Sequence, residues 1–340
     1  MEHTKPEAGR DYPTTWTEFQ DWFCSEEFCA AYLEQLRWPH GFCCPACGVV
    51  DPPGRATRGR LICRACRHQF SVTAGTIFDK TRTPLRVWFA AAWYLTNQKQ
   101  GVSALGLQRV LGLNSYQTAW AMLHRFRRAM VRPDRELLKG TVEIDEAFLP
   151  LSRGPHRQTG RASPKSHNKS HLVAIAVAVE ILKPKGFGRI RLHRLAAPTM
   201  DAVMPFIQAN VAPGTTVRTD GSAIYLPVNE AGFVHEPFVL LGSDVPAHRP
   251  LPGVHRIASL LKRWLLGTHQ GAIDPRHVDY YLDEFAFRFN RRTSRSRGML
   301  FYRLIEQSAN AAPATYTDIR DNQHRPRPFP PITERVELNG

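Results

Sequence analysis

Four cysteines constrain this chain more than any other feature. Cys44 and Cys47 form one CxxC pair, Cys63 and Cys66 form another, and 15 residues separate them. Each CxxC turn aims two thiolates at one point, and two such pairs at this spacing read as a tetrahedral Cys₄ zinc site. The cysteine-rich stretch, residues 42–74, is too short to build a core unaided, so the metal would largely fold it. The competing reading of these thiols is a redox or unligated role. Cys43 lacks the CxxC spacing and is a bystander, while Cys24 and Cys29 lie in an apolar helical stretch and are expected in a core. Arg55, Arg58, Arg60, Arg64, Arg67 and His68 decorate the ribbon, either as a solvated surface or as phosphate contacts.

The chain has 340 residues, 43% of them hydrophobic, enough for two or three domains with a real core. It carries 45 Lys and Arg against 30 Asp and Glu, a formal charge of +15. That imbalance is the electrostatic footprint of nucleic-acid binding. The longest apolar runs, VWFAAAWYL and LVAIAVAV, are too short to span a bilayer. The opening MEHTKPEAGRDYPTT has no apolar core of a signal peptide. A cytoplasmic protein without a membrane partner is expected, with reduced thiols.

Residues 1–41 read as a helical lead-in, with Trp16, Phe19, Phe23, Phe28, Tyr32 and Leu36 at helical spacing. The segment 84–131 reads as three helices, at 84–98, 103–113 and 115–131, with Ser115 as an N-cap. The last two resemble a helix-turn-helix. Its second helix ends in HRFRRAMVR, which could set Arg125, Arg127 and Arg128 along phosphates; plain helix packing is the alternative.

From residue 141 the period changes. TVEIDEAFL alternates like a strand, HLVAIAVAVEIL is a continuous apolar run, and RIRLHRLA alternates again. The basic stretch between the first two reads as a loop. A helix at MDAVMPFIQANV, a strand at TTVRTD, a short helix and a strand follow, then a Pro-rich loop and helices near 254–266 and 275–291. This order matches an α/β, RNase H-like domain over residues 141–306, with an extended tail from 307 to 340.

Asp145 lies in the first strand, Asp220 ends another before Gly221, and His255 opens a helix. Two carboxylates on strands and a third ligand on a helix are what a two-metal phosphoryl-transfer site requires. Glu143 shares the Asp145 face of its strand; Glu146 is the rival ligand on the other face. Lys262 follows His255 by seven residues, about two helical turns, and so shares its face. Glu230 and Asp244 are fallback third ligands.

The motifs CPAC, CRACRHQFSVTAGTIFDKTRTPL, VEIDEAF, RTDGSAIY, LLKRWLLGTHQG and YYLDEFAFRFNRR resemble those of bacterial insertion-sequence transposases of the DDE superfamily. The likeness is to the group that joins a zinc ribbon to an RNase H-like domain. It runs from about Trp16 to about Glu306. The resemblance implies metal-dependent cleavage at terminal inverted repeats and joining of the freed 3′ ends to target DNA. It implies Mg²⁺ or Mn²⁺ at Asp145, Asp220 and His255, Lys262 beside the cut phosphate, and Glu284, Arg288 and Arg291 as a recurrent helix-face pattern with a possible DNA contact. A homodimer or higher oligomer on DNA and association with the nucleoid are further expectations. Many relatives carry Glu at the third position. His255 departs from that pattern, and a catalytically degenerate DNA-binding derivative is the alternative reading.

Overall fold

A computed structural model describes residues 5–132, 135–151, 172–238 and 251–322. In chain order its helices are α1 (Trp16–Trp22), α2 (Glu26–Arg37), α3 (Leu85–Asn97), α4 (Ala104–Leu111), α5 (Tyr116–Ala129), α6 (Met200–Asn210), α7 (Pro252–His269), α8 (Val278–Asn290), α9 (Arg297–Asn310) and α10 (Tyr316–Arg320). The strands are β1 (Gly54–Arg55), β2 (Leu61–Ile62), β3 (Gln69–Phe70), β4 (Thr141–Pro150), β5 (Leu172–Ile181), β6 (Phe187–Arg194), β7 (Thr216–Asp220) and β8 (Val234–Phe238). They form two compact units, whose described residues are 5–132 with 293–322, and 135–151, 172–238 and 251–292. The basic stretch after β4, most of the Pro-rich loop and the chain beyond 322 lie outside the described residues.

In the first unit the lead-in is two helices. Thr15 accepts from the Glu18 N–H to start α1, and Ser25 accepts from the Phe28 N–H to start α2. An N-cap needs extended backbone, which Ser25 adopts, so α1 cannot run through it. The break leaves Cys24 exposed, against the expectation that it would be core; Cys29 is fully buried. Gly112, at φ 63°, ends α4 in the left-handed region and opens the turn to α5.

The expected tail from residue 307 is corrected. Helix α9 runs to Asn310, and α10 follows with a capping box between Thr315 and Asp318. Both belong to the first unit, not to the RNase H-like domain that was expected to reach 306. Phe301 of α9 explains why. Its ring lies 5.5–5.9 Å from those of Phe19, Phe23, Phe89 and Trp93, completing an aromatic core that α1 to α3 leave open.

The second unit is a five-stranded sheet in the order β6-β5-β4-β7-β8. Strands β4, β5 and β6 pair antiparallel, while β7 and β8 run parallel to β4. This mixed α/β sheet is the expected RNase H-like arrangement. The alternation of β4 sends Val142 and Ile144 into a core with α6, and Ala147 and Leu149 into a core with α7 and α8. The sheet is thereby covered on both faces, and the face of β4 that carries Glu143 and Asp145 lies under α7.

Candidate metal centres and catalytic site

The two knuckles of the ribbon are built alike. The Cys44 N–H donates to the Val49 carbonyl and the Gly48 N–H to the Cys44 carbonyl; Cys63, His68 and Arg67 repeat the pattern. Gly48 and Arg67 both take positive φ, 73° and 61°, to make the return. The sulfurs of Cys44, Cys47, Cys63 and Cys66 all lie within 4.8 Å of one another. Sγ atoms of Cys44 and Cys66, and of Cys47 and Cys63, are 3.7 Å apart. Four sulfurs about 2.3 Å from a tetrahedral zinc would stand about 3.8 Å apart, so the donor set fits that ion. Cys43 is exposed and sends its thiol to the Gly48 carbonyl, away from the cluster.

The second site is built on the parallel pair β4 and β7. Its ladder pairs Thr141 with Thr216, Val142 with Val217 and Glu143 with Arg218. The register offset is 75 residues, the separation of Asp145 and Asp220 in the chain. Two residues past the last pair, the two aspartates therefore stand level on adjacent strands. Oδ1 of Asp145 accepts from the Glu146 N–H at 2.8 Å, and Oδ1 of Asp220 accepts from the Ser222 N–H at 3.1 Å. Among the described residues no donor meets the Oδ2 of either, which leaves each carboxylate an oxygen for a cation. Burial raises the Asp145 carboxyl above its ordinary pKa; the Glu146 N–H opposes this, Asp220 adds to it and His255 opposes it. The other two expected ligands, Asp220 and His255, thus both act on the Asp145 carboxyl. The three are not closed to the spacing of the cysteines: the Cys₄ cluster is the one group of three or more ligating side chains within 4.8 Å among the described residues.

Glu146, the rival ligand, points to the other face. Its Oε1 accepts from the buried hydroxyl of Tyr225. Burial pushes this carboxyl up to about 7, against the Tyr225 hydrogen bond and with help from Asp145 and Asp220. Tyr225 went unremarked in the sequence, although it follows Asp220 by five residues in RTDGSAIY. The fallback Glu230 is exposed and lines a groove with Met200, Met204 and Pro227 on the α6 side. Asp244 lies outside the described residues.

His255 is half-buried in the first turn of α7, and Lys262 is exposed two turns on. Glu143 is 1% exposed, and its Oε2 accepts from the Gly253 and Val254 N–H groups at 2.6 and 3.2 Å. On α8, Glu284 is fully buried, Arg288 is half-buried and Arg291 lies over the Phe287 ring at 4.0 Å.

The arginines expected along phosphates on α5 face inward instead. Arg127 is 1% exposed, with Nη1 3.3 Å from His124 Nε2. Arg125 donates to the Ala314 carbonyl at 2.9 Å and lies over the Trp88 ring. Nε and Nη1 of Arg128 are buried. Periodicity placed these residues on a helix; which side the rest of the unit would cover was beyond it.

Fold and sites define a protein that joins a Cys₄ zinc-ribbon cluster to an α/β, RNase H-like domain. Residues 137–290 match the ISXO2-like transposase domain, and residues 24–69 match the transposase zinc-ribbon domain. One chain thus matches both of the domains that insertion-sequence transposases of this kind join. A protein of Halobacterium salinarum, described as an uncharacterized protein in transposable element ISH50, is 28% identical over 295 residues, covering 84% of this chain and 98% of the relative. Among the described residues no helix is long and apolar enough to cross a membrane.

Proposed function

We propose that this chain is the transposase of an insertion sequence. It binds the terminal inverted repeats, cleaves a strand at each end and transfers the freed 3′-hydroxyls to target DNA. The observation that carries this reading is the common level of Asp145 and Asp220 on β4 and β7, with His255 acting on the same carboxyl from α7. Divalent Mg²⁺ or Mn²⁺ held by Asp145, Asp220 and His255 would supply an activated nucleophile and a stabilised leaving oxygen.

The protein's own part is positioning. The paired parallel strands hold the two aspartates in fixed register, so neither must reorganise when the DNA arrives. Lys262 is a compact cation on the exposed side of α7 and would hold the phosphate beside the cut. The +15 charge would gather the polyanion and make affinity fall steeply with salt. Binding two ends at once calls for two or more copies on the DNA. Cytoplasmic residence at the nucleoid follows from this role.

The test uses a labelled duplex carrying the element's end, the zinc-loaded protein and Mn²⁺. Nicking at the end followed by joining to a second duplex is expected. Nicking without joining would make the protein a nuclease, and binding without nicking would leave a DNA-binding derivative.

A further inference from the structure

The N-terminus of α7 has no cap of its own. Its N-cap residue is Leu251, which offers no side-chain acceptor, and Pro252 opens the helix. The first free N–H groups, Gly253 and Val254, are taken by Glu143, 110 residues earlier on β4. A carboxylate is a strong acceptor for N–H groups at the positive end of a helix. The approach is close. A Cβ on Gly253 would stand 2.8 Å from Glu143 Oε2 and 2.9 Å from Ile181 Cδ1, so a larger residue there would crowd the carboxylate out of its present place.

The strand and the helix joined in this way carry two of the proposed metal ligands. Asp145 follows Glu143 by two residues on the same face of β4, and His255 follows Gly253 by two residues in the first turn of α7. Val254, Ile257 and Leu261 pack α7 onto that face with Ala147 and Leu149, but apolar packing tolerates sliding. Two directional hydrogen bonds do not.

We infer that Glu143 is a positioning residue, which sets His255 over Asp145 by holding the N-terminus of α7 to β4. The inference rests on the proposed metal site. A cap of ordinary kind would only stabilise the helix; this one acts through His255 on the affinity for a divalent cation. Loss of partners behind a metal ligand typically weakens binding about 10–100-fold.

The experiment is a Mn²⁺ titration of the full-length, zinc-loaded protein, read by electron paramagnetic resonance, for wild type, Glu143→Gln, His255→Ala and the double variant. Glu143→Gln is expected to weaken Mn²⁺ at least about tenfold. Because it acts through His255, the double variant is expected to bind no more weakly than His255→Ala alone. Gly253→Ala keeps the carboxylate but crowds its Oε2 out of the two hydrogen bonds, and is expected to weaken Mn²⁺ as well; it stands in if Glu143→Gln does not fold. Wild-type affinity in the variants, or losses that multiply in the double variant, would overturn the positioning role and leave the metal site intact. A wild-type protein that binds no Mn²⁺ beyond its zinc would overturn the site itself, and the inference with it.

Discussion

Asp145 and Asp220 stand two residues beyond the Glu143–Arg218 pair of a parallel ladder, so one strand register fixes both. Their separation along the chain repeats the offset of that register. Asp145→Ala and Asp220→Ala should each abolish nicking while leaving affinity for the element's end within about twofold, because neither change removes a cation that phosphates could use. Gel-based nicking and filter binding on the same preparations check this. Residual cleavage near the wild-type rate in either variant would remove that aspartate from the site.

The third ligand separates this chain from an all-carboxylate site. Mg²⁺ prefers oxygen donors, while Mn²⁺ ranks low among first-row metals yet accepts imidazole. His255→Glu should therefore keep nicking and move the preference from Mn²⁺ toward Mg²⁺, whereas His255→Ala should lose about 100-fold or more, the loss typical of removing one charge-stabilising group. Nicking rates in each metal decide it; wild-type rates for His255→Ala would exclude the imidazole as a ligand.

The ribbon should depend on its metal. Cys63→Ser removes one of four ligands that lie within 4.8 Å of each other. Metal analysis should find one zinc per wild-type chain and little in the variant, and thermal unfolding of the first unit should move down. Arg67 offers a finer test. It takes a positive φ where Gly48 serves in the other knuckle. Arg67→Gly should relieve about 1 kcal/mol of backbone strain.

Glu146 should make stability depend on pH. Its carboxyl is pushed up to about 7 in the fold, chiefly by burial, from an ordinary value of 4.5. A raised carboxyl contributes stability that is complete below about 4.5 and is lost as pH rises through about 7. Without added Mg²⁺ or Mn²⁺, the wild-type melting temperature should therefore fall relative to Glu146→Gln across that window. Tyr225→Phe removes the hydroxyl that favours the charged form, and should shift the fall to higher pH. A constant difference between wild type and Glu146→Gln from pH 5 to 8 would contradict this assignment.

Arg125 should behave as a structural residue. Arg125→Ala removes the bond to the Ala314 carbonyl and the stacking on Trp88, a loss of about 1–3 kcal/mol by the usual value of a charged hydrogen bond. The slope of DNA affinity against salt should not change. A slope reduced by about one counterion would return Arg125 to the phosphates.

Local chemistry in the sequence determined much of this. CxxC turns fold within a few residues, so the Cys₄ cluster was readable from spacing. Strand alternation separated Glu143 and Asp145 from Val142 and Ile144, and the order of strands and helices set the α/β class. The motifs around Asp145, Asp220 and His255 carried the family. What only the tertiary structure decided were contacts between distant segments. Residue spacing does not say which helix face is covered, so Arg125 and Arg127 looked free until the first unit closed over them. Nor does it tell that Phe301 completes an aromatic core begun by Phe19 and Phe23, which draws α9 out of the expected catalytic domain. Alternation placed Glu143 on the Asp145 face of its strand, but its partner is a pair of backbone N–H groups, and backbone leaves no mark in a sequence. Hydrogen bonds of that kind exist only once the sheet and the helix have packed.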